Sequence, residues 1–301
     1  MARVTAVCLS STLQRTVTFG RLIPGQVNRS ERYGMYASGK AVNSARVLNQ
    51  LEAGFASVIC PLGERNASRF MELADGDGLP VHGILVPGFT RECWTLLDRE
   101  NHGTTELVVG EPVLAADLSR QVSELLDTVA DSARKTDALL FAGSRPGIWP
   151  EDMCAGICRI AAEAGRLVVA DFWGPDLIRT LAVCTPAIIK INEEEFCKTF
   201  GYDFPQEENR LLQLISEKSR ELSNIFIVTR GSSETYAADC GVEYSEPIQP
   251  VTVVNSTACG DSFSAGFLYT YLKSGKMRDA LYKGTWCAAR NAERECPGSI
   301  I

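Results

Sequence analysis

The stretch PVTVVNSTACGDSFSAGFLYTYL, residues 250–272, predicts a buried strand, a tight turn and a helix in succession. The β-branched residues at 251–254 favour the strand. The small residues at 258–260 fill the turn, so the backbone there can approach a ligand closely. From Phe263 onward an aromatic residue recurs at every fourth position, which places these rings on one side of a helix. A strand that leads through small residues into a helix is a typical setting for a ligand site.

The turn predicts an anion site, because the first N–H groups of a helix have no partner within the helix and lie at the positive end of its dipole. The N–H groups of Ala258, Cys259 and Gly260 would face a phosphate group. Asp261 would repel that phosphate as a ligand, but it could take a proton from a hydroxyl that attacks the phosphate. Acidic residues are also common in first turns because they favour the dipole, so the local residues leave both interpretations open.

Two motifs resemble the signatures of one family. The segment NSTACGDSFSAGF resembles DTxGAGD, the C-terminal signature of the ribokinase-like (PfkB) carbohydrate kinases. The segment ASGKAVNSARVLNQLEAG, residues 37–54, resembles their N-terminal signature GGKGxNxAxxLxxLG. The motifs stand in the family's order, and weaker matches between them extend the resemblance over nearly the whole chain. The resemblance implies a carbohydrate kinase that uses ATP and Mg²⁺, with Asp261 as its catalytic base.

Strand-like and helix-like segments alternate along the chain, which predicts parallel strand pairing with right-handed crossovers. The predicted fold class is α/β, a doubly wound, mostly parallel sheet with helices on both faces. Length allows one large domain or two ordinary ones, and the resemblance implies a single domain over residues 1–301. Ligands of such sheets bind at the carboxyl ends of strands, and Asp171, Asn192, Gly231 and Asp261 each follow a predicted strand.

The family resemblance also implies a small β-sheet lid, formed by about residues 12–37 and 85–110. A lid excludes water from phosphoryl transfer. Lids of this family often pair two subunits, so a homodimer through the lid is expected. Within the first segment, RLIPGQVNR, residues 21–29, resembles the LxPGEVNR of the 1-phosphofructokinase and tagatose-6-phosphate kinase branch. That branch implies a phosphorylated ketose as acceptor: fructose 1-phosphate, tagatose 6-phosphate or fructose 6-phosphate.

The resemblance assigns several residues to the sugar substrate. Lys40 and Arg91 match cations that bind the acceptor's own phosphate in that branch, and a planar guanidinium suits phosphate. Taken without the resemblance, both would be interpreted as ordinary surface cations. Gln14 stands where the branch has an Asp that binds sugar hydroxyls, so this position gains donors and loses a charge. The other residues expected at the substrate are Gly39, Asn43 and Ser144.

The nucleotide side is predicted at the NxxE pattern of Asn192 and Glu195. An amide and an acid at the end of a strand can hold the waters of Mg²⁺, which keeps much of its hydration shell. The glutamates here are also explained as a helix start favoured by the dipole. The residues that the resemblance places at the nucleotide are Lys190, Asn192, Thr229, Gly231, Ser256 and Asn291.

Four positions depart from the family pattern, namely Gln14, Ser38, Ala41 and Ala258. Ala258 replaces the first glycine of the anion hole, so a positive φ there would cost about 1 kcal/mol or more. Two further hypotheses therefore stay open beside the ketose-phosphate kinase. One is a non-catalytic protein that binds a sugar phosphate, and the other is a kinase for an unphosphorylated sugar or a nucleoside.

Composition narrows the classes of partner. The formal charge of −7 argues against nucleic acid. No apolar run is long enough to span a bilayer, and the N-terminal residues do not resemble a signal peptide. The eleven cysteines are scattered and form no CxxC pair, so we interpret them as reduced core residues. The sequence thus predicts a cytoplasmic protein whose partners are ATP and a small sugar or sugar phosphate, with no membrane partner.

Overall fold

A computed structural model describes residues 3–30, 32–109 and 117–301. These residues form thirteen strands and nine helices. The strands are β1 (Val4–Val7), β2 (Thr12–Phe19), β3 (Arg32–Ser38), β4 (Ala56–Gly63), β5 (Val81–Val86), β6 (Glu92–Asp98), β7 (Gly103–Val108), β8 (Ala138–Ala142), β9 (Leu167–Asp171), β10 (Ile188–Asn192), β11 (Ile225–Arg230), β12 (Ser233–Asp239) and β13 (Val242–Glu246). The helices are α1 (Lys40–Leu51), α2 (Ala67–Gly76), α3 (Ser119–Ala133), α4 (Met153–Glu163), α5 (Pro175–Leu181), α6 (Glu193–Phe200), α7 (Glu208–Leu222), α8 (Cys259–Ser274) and α9 (Met277–Ala292).

Nine strands form one large sheet in the order β13-β12-β11-β10-β9-β8-β1-β4-β5. Neighbours from β11 to β5 run parallel, and β12 and β13 add an antiparallel hairpin at one edge. Helices α1, α2, α8 and α9 pack on one face, and α3 to α7 pack on the other. Within β1, Ala6 joins the first apolar layer and Val7 the second, as the alternation of side chains across a strand requires. The predicted α/β class with helices on both faces is confirmed.

The lid is a second sheet of four strands in the order β3-β2-β6-β7. The second lid segment was predicted at residues 85–110, and its first boundary is wrong. Leu85 and Val86 pair with β4 and so belong to the large sheet. Val86 and its neighbour Ile84 are buried in the apolar layer that contains α3, which keeps this strand with the main body. The lid strand proper begins at Glu92. Positions 31 and 110 of the predicted lid segments lie outside the described residues.

The strand predicted at residues 251–254 is not formed, so this prediction was wrong. The N–H groups of Val254 and Asn255 donate to the carbonyl of Ala292 at the end of α9, at 2.7 and 3.1 Å. Val253 and Val254 are 43% and 40% exposed. A β-branched run becomes a buried strand only where a neighbouring strand accepts its hydrogen bonds, and here the end of α9 takes that place. Asp261 therefore follows an irregular segment rather than a strand.

The cysteines match the expectation from composition. All eleven are free thiols, and most of them are buried. Cys8 and Cys287, for example, have no exposed surface. In the ranges that the structure describes, no helix combines the length and the apolar character needed to cross a membrane.

Candidate active site

The carboxyl edge of the large sheet and the lid enclose a cleft of about 760 Å³. The starts of α1 and α8 both open into it, although these helices lie near opposite ends of the sequence. Most residues that the sequence singled out line this cleft together: Gln14, Gly39, Lys40, Asn43, Arg91, Lys190, Asn192, Glu195, Thr229, Gly231, Ser256, Ala258, Cys259, Gly260 and Asp261. The motifs thus converge on one site.

The turn before α8 contains a residue in the left-handed region. Ala258, the residue before the helix, is left-handed with φ 65° and ψ 13°. A Cβ atom on Gly260 would lie 2.9 Å from Nζ of Lys190, so the missing side chain lets that ammonium group approach. The N–H of Thr257 donates to Oδ1 of Asn255 at 2.9 Å, which fixes the turn from its N-terminal side. The turn therefore presents the positive end of the α8 dipole to the cleft.

Asp261 is buried at the start of α8, with 7% of its surface exposed. Its Oδ2 accepts a hydrogen bond from Nδ2 of Asn43 at 2.8 Å. Burial raises the pKa of Asp261 to about 6, although the charge of Lys40 and the bond from Asn43 act in the opposite direction. A carboxyl group with this pKa is mostly ionised at neutral pH and is a stronger base than an exposed aspartate. It has the properties required of a general base.

Asp171 lies beneath the site with no exposed surface. Its carboxylate accepts hydrogen bonds from Nζ of Lys40 at 3.2 Å, Nζ of Lys190 at 3.1 Å and Oγ of Ser264 at 2.8 Å. Burial alone would raise its pKa, but Lys190 and Lys40 outweigh burial and lower the pKa of Asp171 to about 2. Asp171 thus stays charged and anchors both lysines. Sequence analysis placed Asp171 at the ligand-binding edge of the sheet but did not predict that it holds both lysines.

The start of α1 is built around Gly39, which has φ 129° and ψ 150°. A Cβ atom there would lie 3.0 Å from the carbonyl oxygen of Ser10, so the position is reserved for glycine. Lys40 follows, with Nζ 3.8 Å from Oε1 of Glu195. Burial acts against its charge, but Asp171 and Glu195 raise the pKa of Lys40 above its ordinary value. Because its side chain is 37% exposed, this permanent cation reaches the cleft.

Asn192 and Glu195 form a reciprocal capping box at the start of α6. Oδ1 of Asn192 accepts from the N–H of Glu195 at 2.8 Å, and Oε2 of Glu195 accepts from the N–H of Asn192 at 2.9 Å. Thr229 lies beside Asn192 in the parallel register of β10 and β11, and Gly231 follows. Across the described ranges, His, Cys, Asp and Glu form no cluster of three or more that could hold a metal ion.

The lid supplies the opposite wall of the cleft. Nε2 of Gln14 donates to Oγ1 of Thr95 at 2.8 Å. Nε of Arg91 donates to Oγ1 of Thr12 at 3.0 Å, and its Nη1 donates to the carbonyl of Val109 at 3.4 Å. These contacts tie both predicted substrate residues to the strands of the second sheet.

Two predicted site residues lie outside the cleft. Ser144 is exposed and lines a neighbouring recess of about 390 Å³, which shares Lys40 with the cleft. Asn291 is fully buried. Its Nδ2 donates to the carbonyl of Thr257 at 2.8 Å, and its Oδ1 accepts from the N–H of Gly298 at 2.7 Å. In this structure Asn291 supports the turn before α8 from behind and does not face the cleft.

Glu106 is a site residue that sequence analysis missed. It lies on β7 of the lid and lines the cleft. Its Oε1 accepts a hydrogen bond from Oγ1 of Thr257 at 2.5 Å, which joins the lid to the turn before α8. The sequence signal is weak, because an acidic residue in the strand GTTELV can equally be an ordinary exposed side chain.

Comparison with known proteins shows a family and related folds. The sequence pattern of the family described as pfkB family carbohydrate kinase matches residues 5–299. The 1-phosphofructokinase of Haemophilus influenzae is 26% identical over 290 residues, which is 96% of this chain and 90% of that protein. The tetrameric inhibited form of phosphofructokinase-2 from Escherichia coli superposes with a TM-score of 0.84 at 18% identity, over 97% of this chain and 94% of that one. The same enzyme in complex with fructose-6-phosphate gives a TM-score of 0.82 at 18% identity, over 99% and 96%.

Proposed function

The chain belongs to the pfkB family of carbohydrate kinases, and on that premise we propose that it transfers the γ-phosphoryl group of ATP to a hydroxyl of a phosphorylated ketose. One observation carries this proposal. The buried carboxylate of Asp261 lies beside the turn before α8, in a cleft that also contains Lys40 and Arg91. The 1-phosphofructokinase relative and the phosphofructokinase-2 complex with fructose-6-phosphate support a ketose phosphate as acceptor. Fructose 1-phosphate, tagatose 6-phosphate and fructose 6-phosphate are the candidates.

Asp261 acts as the general base. Its ionised form would accept the proton of the attacking hydroxyl as the oxygen–phosphorus bond forms and the bond to the leaving ADP breaks. The N–H group of Asn43 orients the carboxylate at 2.8 Å, which leaves the other carboxylate oxygen for the hydroxyl. The pKa of about 6 supports this role, because the group is ionised at neutral pH.

The N–H groups of Ala258, Cys259 and Gly260 stabilise the phosphoryl group in transfer, as an anion hole does. The left-handed conformation of Ala258 supports this role, because it is the conformation that lets the chain turn into α8 within a few residues. Lys190, held by Asp171 at 3.1 Å and close to Gly260, would add positive charge on the same side.

Lys40 and Arg91 bind the phosphate that the acceptor already carries. Lys40 approaches from the start of α1 and Arg91 from the lid, so a phosphate between them would be held by both parts of the protein. This pairing makes a kinase for a nucleoside or an unphosphorylated sugar the weaker candidate, since a neutral acceptor has no use for two cations. Gln14 and Asn43 would contact sugar hydroxyls, and Ser144 would border the same end of the acceptor.

ATP would lie along Lys190, Asn192, Thr229, Gly231 and Ser256, with its phosphates toward the turn before α8. Mg²⁺, when bound with the nucleotide, neutralises charge on its phosphates. Asn192 and Glu195 would contact the water molecules of that ion, since their capping box directs an amide and a carboxylate to the cleft edge.

We also infer a cytoplasmic protein that pairs through its lid. The free thiols support a reducing compartment. The lid and the residue after it expose large apolar side chains on the face away from the cleft, which a second lid could cover: Tyr33, Trp94, Leu107 and Val109.

A non-catalytic sugar-phosphate binder is the second candidate, and the observation that favours it is Ala258. A left-handed alanine is costly, and a small tilt of its N–H would weaken the anion hole. Two observations argue against a non-catalytic binder. Ala258 has a left-handed conformation, and Asp261 has a pKa at which it is ionised at neutral pH.

The test is ADP release by the purified protein with ATP and Mg²⁺ against a panel of sugars, nucleosides and ketose phosphates, with Asp261→Asn in parallel. Turnover with one ketose phosphate that the variant loses supports the proposal and its base. Turnover only with a neutral acceptor contradicts the substrate class. If no acceptor gives turnover but a ketose phosphate still raises the melting temperature, the binder is correct.

A further inference from the structure

The amide of Asn43 can face Asp261 in two ways, and only one of them helps the carboxylate. With Nδ2 toward Asp261 it donates a hydrogen bond, and with Oδ1 toward Asp261 it repels the charge. The observed contact is Nδ2 to Oδ2 of Asp261 at 2.8 Å. An asparagine side chain does not choose between these orientations by itself, so other groups must impose the choice.

Two side chains behind Asn43 impose it. Oδ1 of Asn43 lies 2.9 Å from Oγ of Ser38 and 3.2 Å from Nη1 of Arg46. A hydroxyl could serve either orientation, since it both donates and accepts. A guanidinium only donates, so Arg46 requires the oxygen of Asn43 on its side and leaves the NH₂ group for Asp261.

Arg46 cannot change position if the side-chain amide of Asn43 rotates, because hydrogen bonds to three other residues fix its guanidinium. It is 2% exposed, and its Nε donates to Oδ2 of Asp77 at 2.8 Å. Its Nη1 also donates to the carbonyl of Pro297 at 3.2 Å, and its Nη2 donates to the carbonyl of Ala37. The acceptors lie just after α2, at Pro297 and in β3, so three separate parts of the fold set the position of the guanidinium.

We propose that Ser38 and Arg46 are positioning residues for the base, which act by holding the amide of Asn43 with its NH₂ group on Asp261. The inference rests on the proposed function, in which Asp261 takes the proton of the acceptor. Ser38 stands where the family signature has a glycine, which has no hydroxyl to offer. This chain therefore has a contact to Asn43 that a glycine at that position cannot make.

The expected signature is a change in the pH at which Asp261 ionises. The N–H of Asn43 favours the ionised carboxylate. A loosened amide gives less of this stabilisation, so the carboxyl group would ionise at higher pH. The other groups that face Asp261 are Lys40 on α1, Asp171 on β9, Lys190 on β10 and the thiol of Cys259 on α8. Ser38→Ala touches none of them.

The experiment measures kcat against pH for the wild type, Ser38→Ala and Arg46→Lys. At low pH, kcat falls as Asp261 becomes protonated, and we call this part of the profile the acid limb. We expect the acid limb to move to higher pH by about half a unit in Ser38→Ala. In Arg46→Lys we expect about one unit, because lysine lacks the planar guanidinium that contacts several acceptors at once. Near pH 6 these shifts lower kcat about twofold in Ser38→Ala and about fivefold in Arg46→Lys, while kcat at pH 8 and the KM for ATP change little. Ser216→Ala is the matched control, because it removes another buried hydroxyl that bonds a carbonyl far from the site. Its acid limb should coincide with that of the wild type.

A second measurement does not depend on turnover. The folded-state pKa of Asp261 lies above the ordinary value of 3.8, so its contribution to stability is present at low pH and is lost as pH rises through the folded pKa. The difference in unfolding free energy between a protein and its Asp261→Asn variant, followed from pH 4 to 8, reports that pKa. We expect its midpoint to be higher in the Ser38→Ala background than in the wild type.

The two measurements separate the two proposals. If the wild type phosphorylates no acceptor, the proposed function fails, and the stability midpoint still decides the positioning role. If both the acid limb and the stability midpoint of Ser38→Ala equal those of the wild type, the positioning role of Ser38 is refuted. If Arg46→Lys folds and also leaves both unchanged, the whole proposal is wrong. If Arg46→Lys does not fold, Ser38→Ala decides alone.

Discussion

Two helices begin at the cleft, and they begin differently. Helix α1 follows Gly39, with φ 129°, and carries Lys40 at its first position. Helix α8 follows Ala258, with φ 65°, and carries Asp261 in its first turn. A lysine at a helix start opposes the dipole, whereas an aspartate favours it. The buried carboxylate of Asp171 offsets this at Lys40, at 3.2 Å. At Asp261 burial outweighs the favourable charges around it and raises the pKa.

Ala258 and Gly39 both have a positive φ, but they lie in different regions of backbone conformation. The left-handed region of Ala258 is open to an alanine at a cost of about 1 kcal/mol. The region of Gly39 is essentially restricted to glycine, and the carbonyl of Ser10 leaves no room for a side chain. The start of α8 can thus lose its family glycine and keep its shape, whereas the start of α1 cannot. The same comparison predicts which substitutions break the site.

The largest effect is expected for Asp261→Asn, which removes the base from α8. We expect kcat to fall about a thousandfold with little change in the KM for ATP. In the wild type, kcat should fall tenfold for each pH unit below about 6, where Asp261 becomes protonated. Asp171, with its pKa near 2, stays ionised over this range and adds no second limb. A pH-independent kcat between 5 and 8 would show that Asp261 is not the base.

Gly39→Ala would place an alanine directly before α1, as Ala258 stands directly before α8. The added Cβ would lie 3.0 Å from the oxygen of Ser10 and 3.4 Å from Cα of Ser11. We expect a loss of about 2 kcal/mol in unfolding free energy and a raised KM for the acceptor, because Lys40 is displaced. Gly54→Ala is the control: φ is 73° at the end of the same helix, but a Cβ there meets nothing within 4 Å. Gly54→Ala should lower the unfolding free energy and leave the acceptor KM unchanged. If Gly39→Ala also leaves the acceptor KM unchanged, the start of α1 tolerates an alanine as the start of α8 does, and the expected difference between the two helix starts is wrong.

The sequence predicted those parts of the fold that local pattern controls. Helix α8 followed from the spacing of its aromatic residues. The strand at 251–254 failed because burial of a β-branched run depends on a neighbouring strand, which a local pattern does not contain. The lid boundary failed for a similar reason, since the partner of Leu85 lies in β4.

The candidate site shows the same division. Asp261 and Lys40 stand in motifs, and their positions in the cleft followed from those motifs. The contact of Asn43 with Arg46 is local, because residues three apart lie on the same side of a helix. The support of Arg46 by Pro297 joins residues that are 251 positions apart. Only tertiary packing brings such a pair together, so a single sequence does not reveal it.

Lys40→Met tests the charge at the start of α1. Methionine keeps most of the side-chain volume, and Asp171 retains Lys190 and Ser264 as partners. We expect kcat/KM for the acceptor to fall about tenfold through KM. The acid limb of kcat should also move to higher pH, because the charge of Lys40 lowers the pKa of Asp261. Lys198→Met, at an exposed pair on α6, is the control. If only stability changes in Lys40→Met, the lysine is a structural cation and does not bind the acceptor.

The smallest effect is expected for Ala258→Gly, which makes the start of α8 resemble that of α1. Relief of the left-handed alanine stabilises the folded state, while the freer glycine stabilises the unfolded chain. The net gain should be about 0.5 kcal/mol in unfolding free energy. Because the turn already has φ 65°, its N–H groups should keep their directions, and kcat should change by less than about twofold. Denaturant unfolding and steady-state kinetics measure the two quantities on the same preparation. A rise in kcat of tenfold or more would mean that the alanine tilts an anion-hole N–H, and that the two helix starts differ in function as well as in conformation.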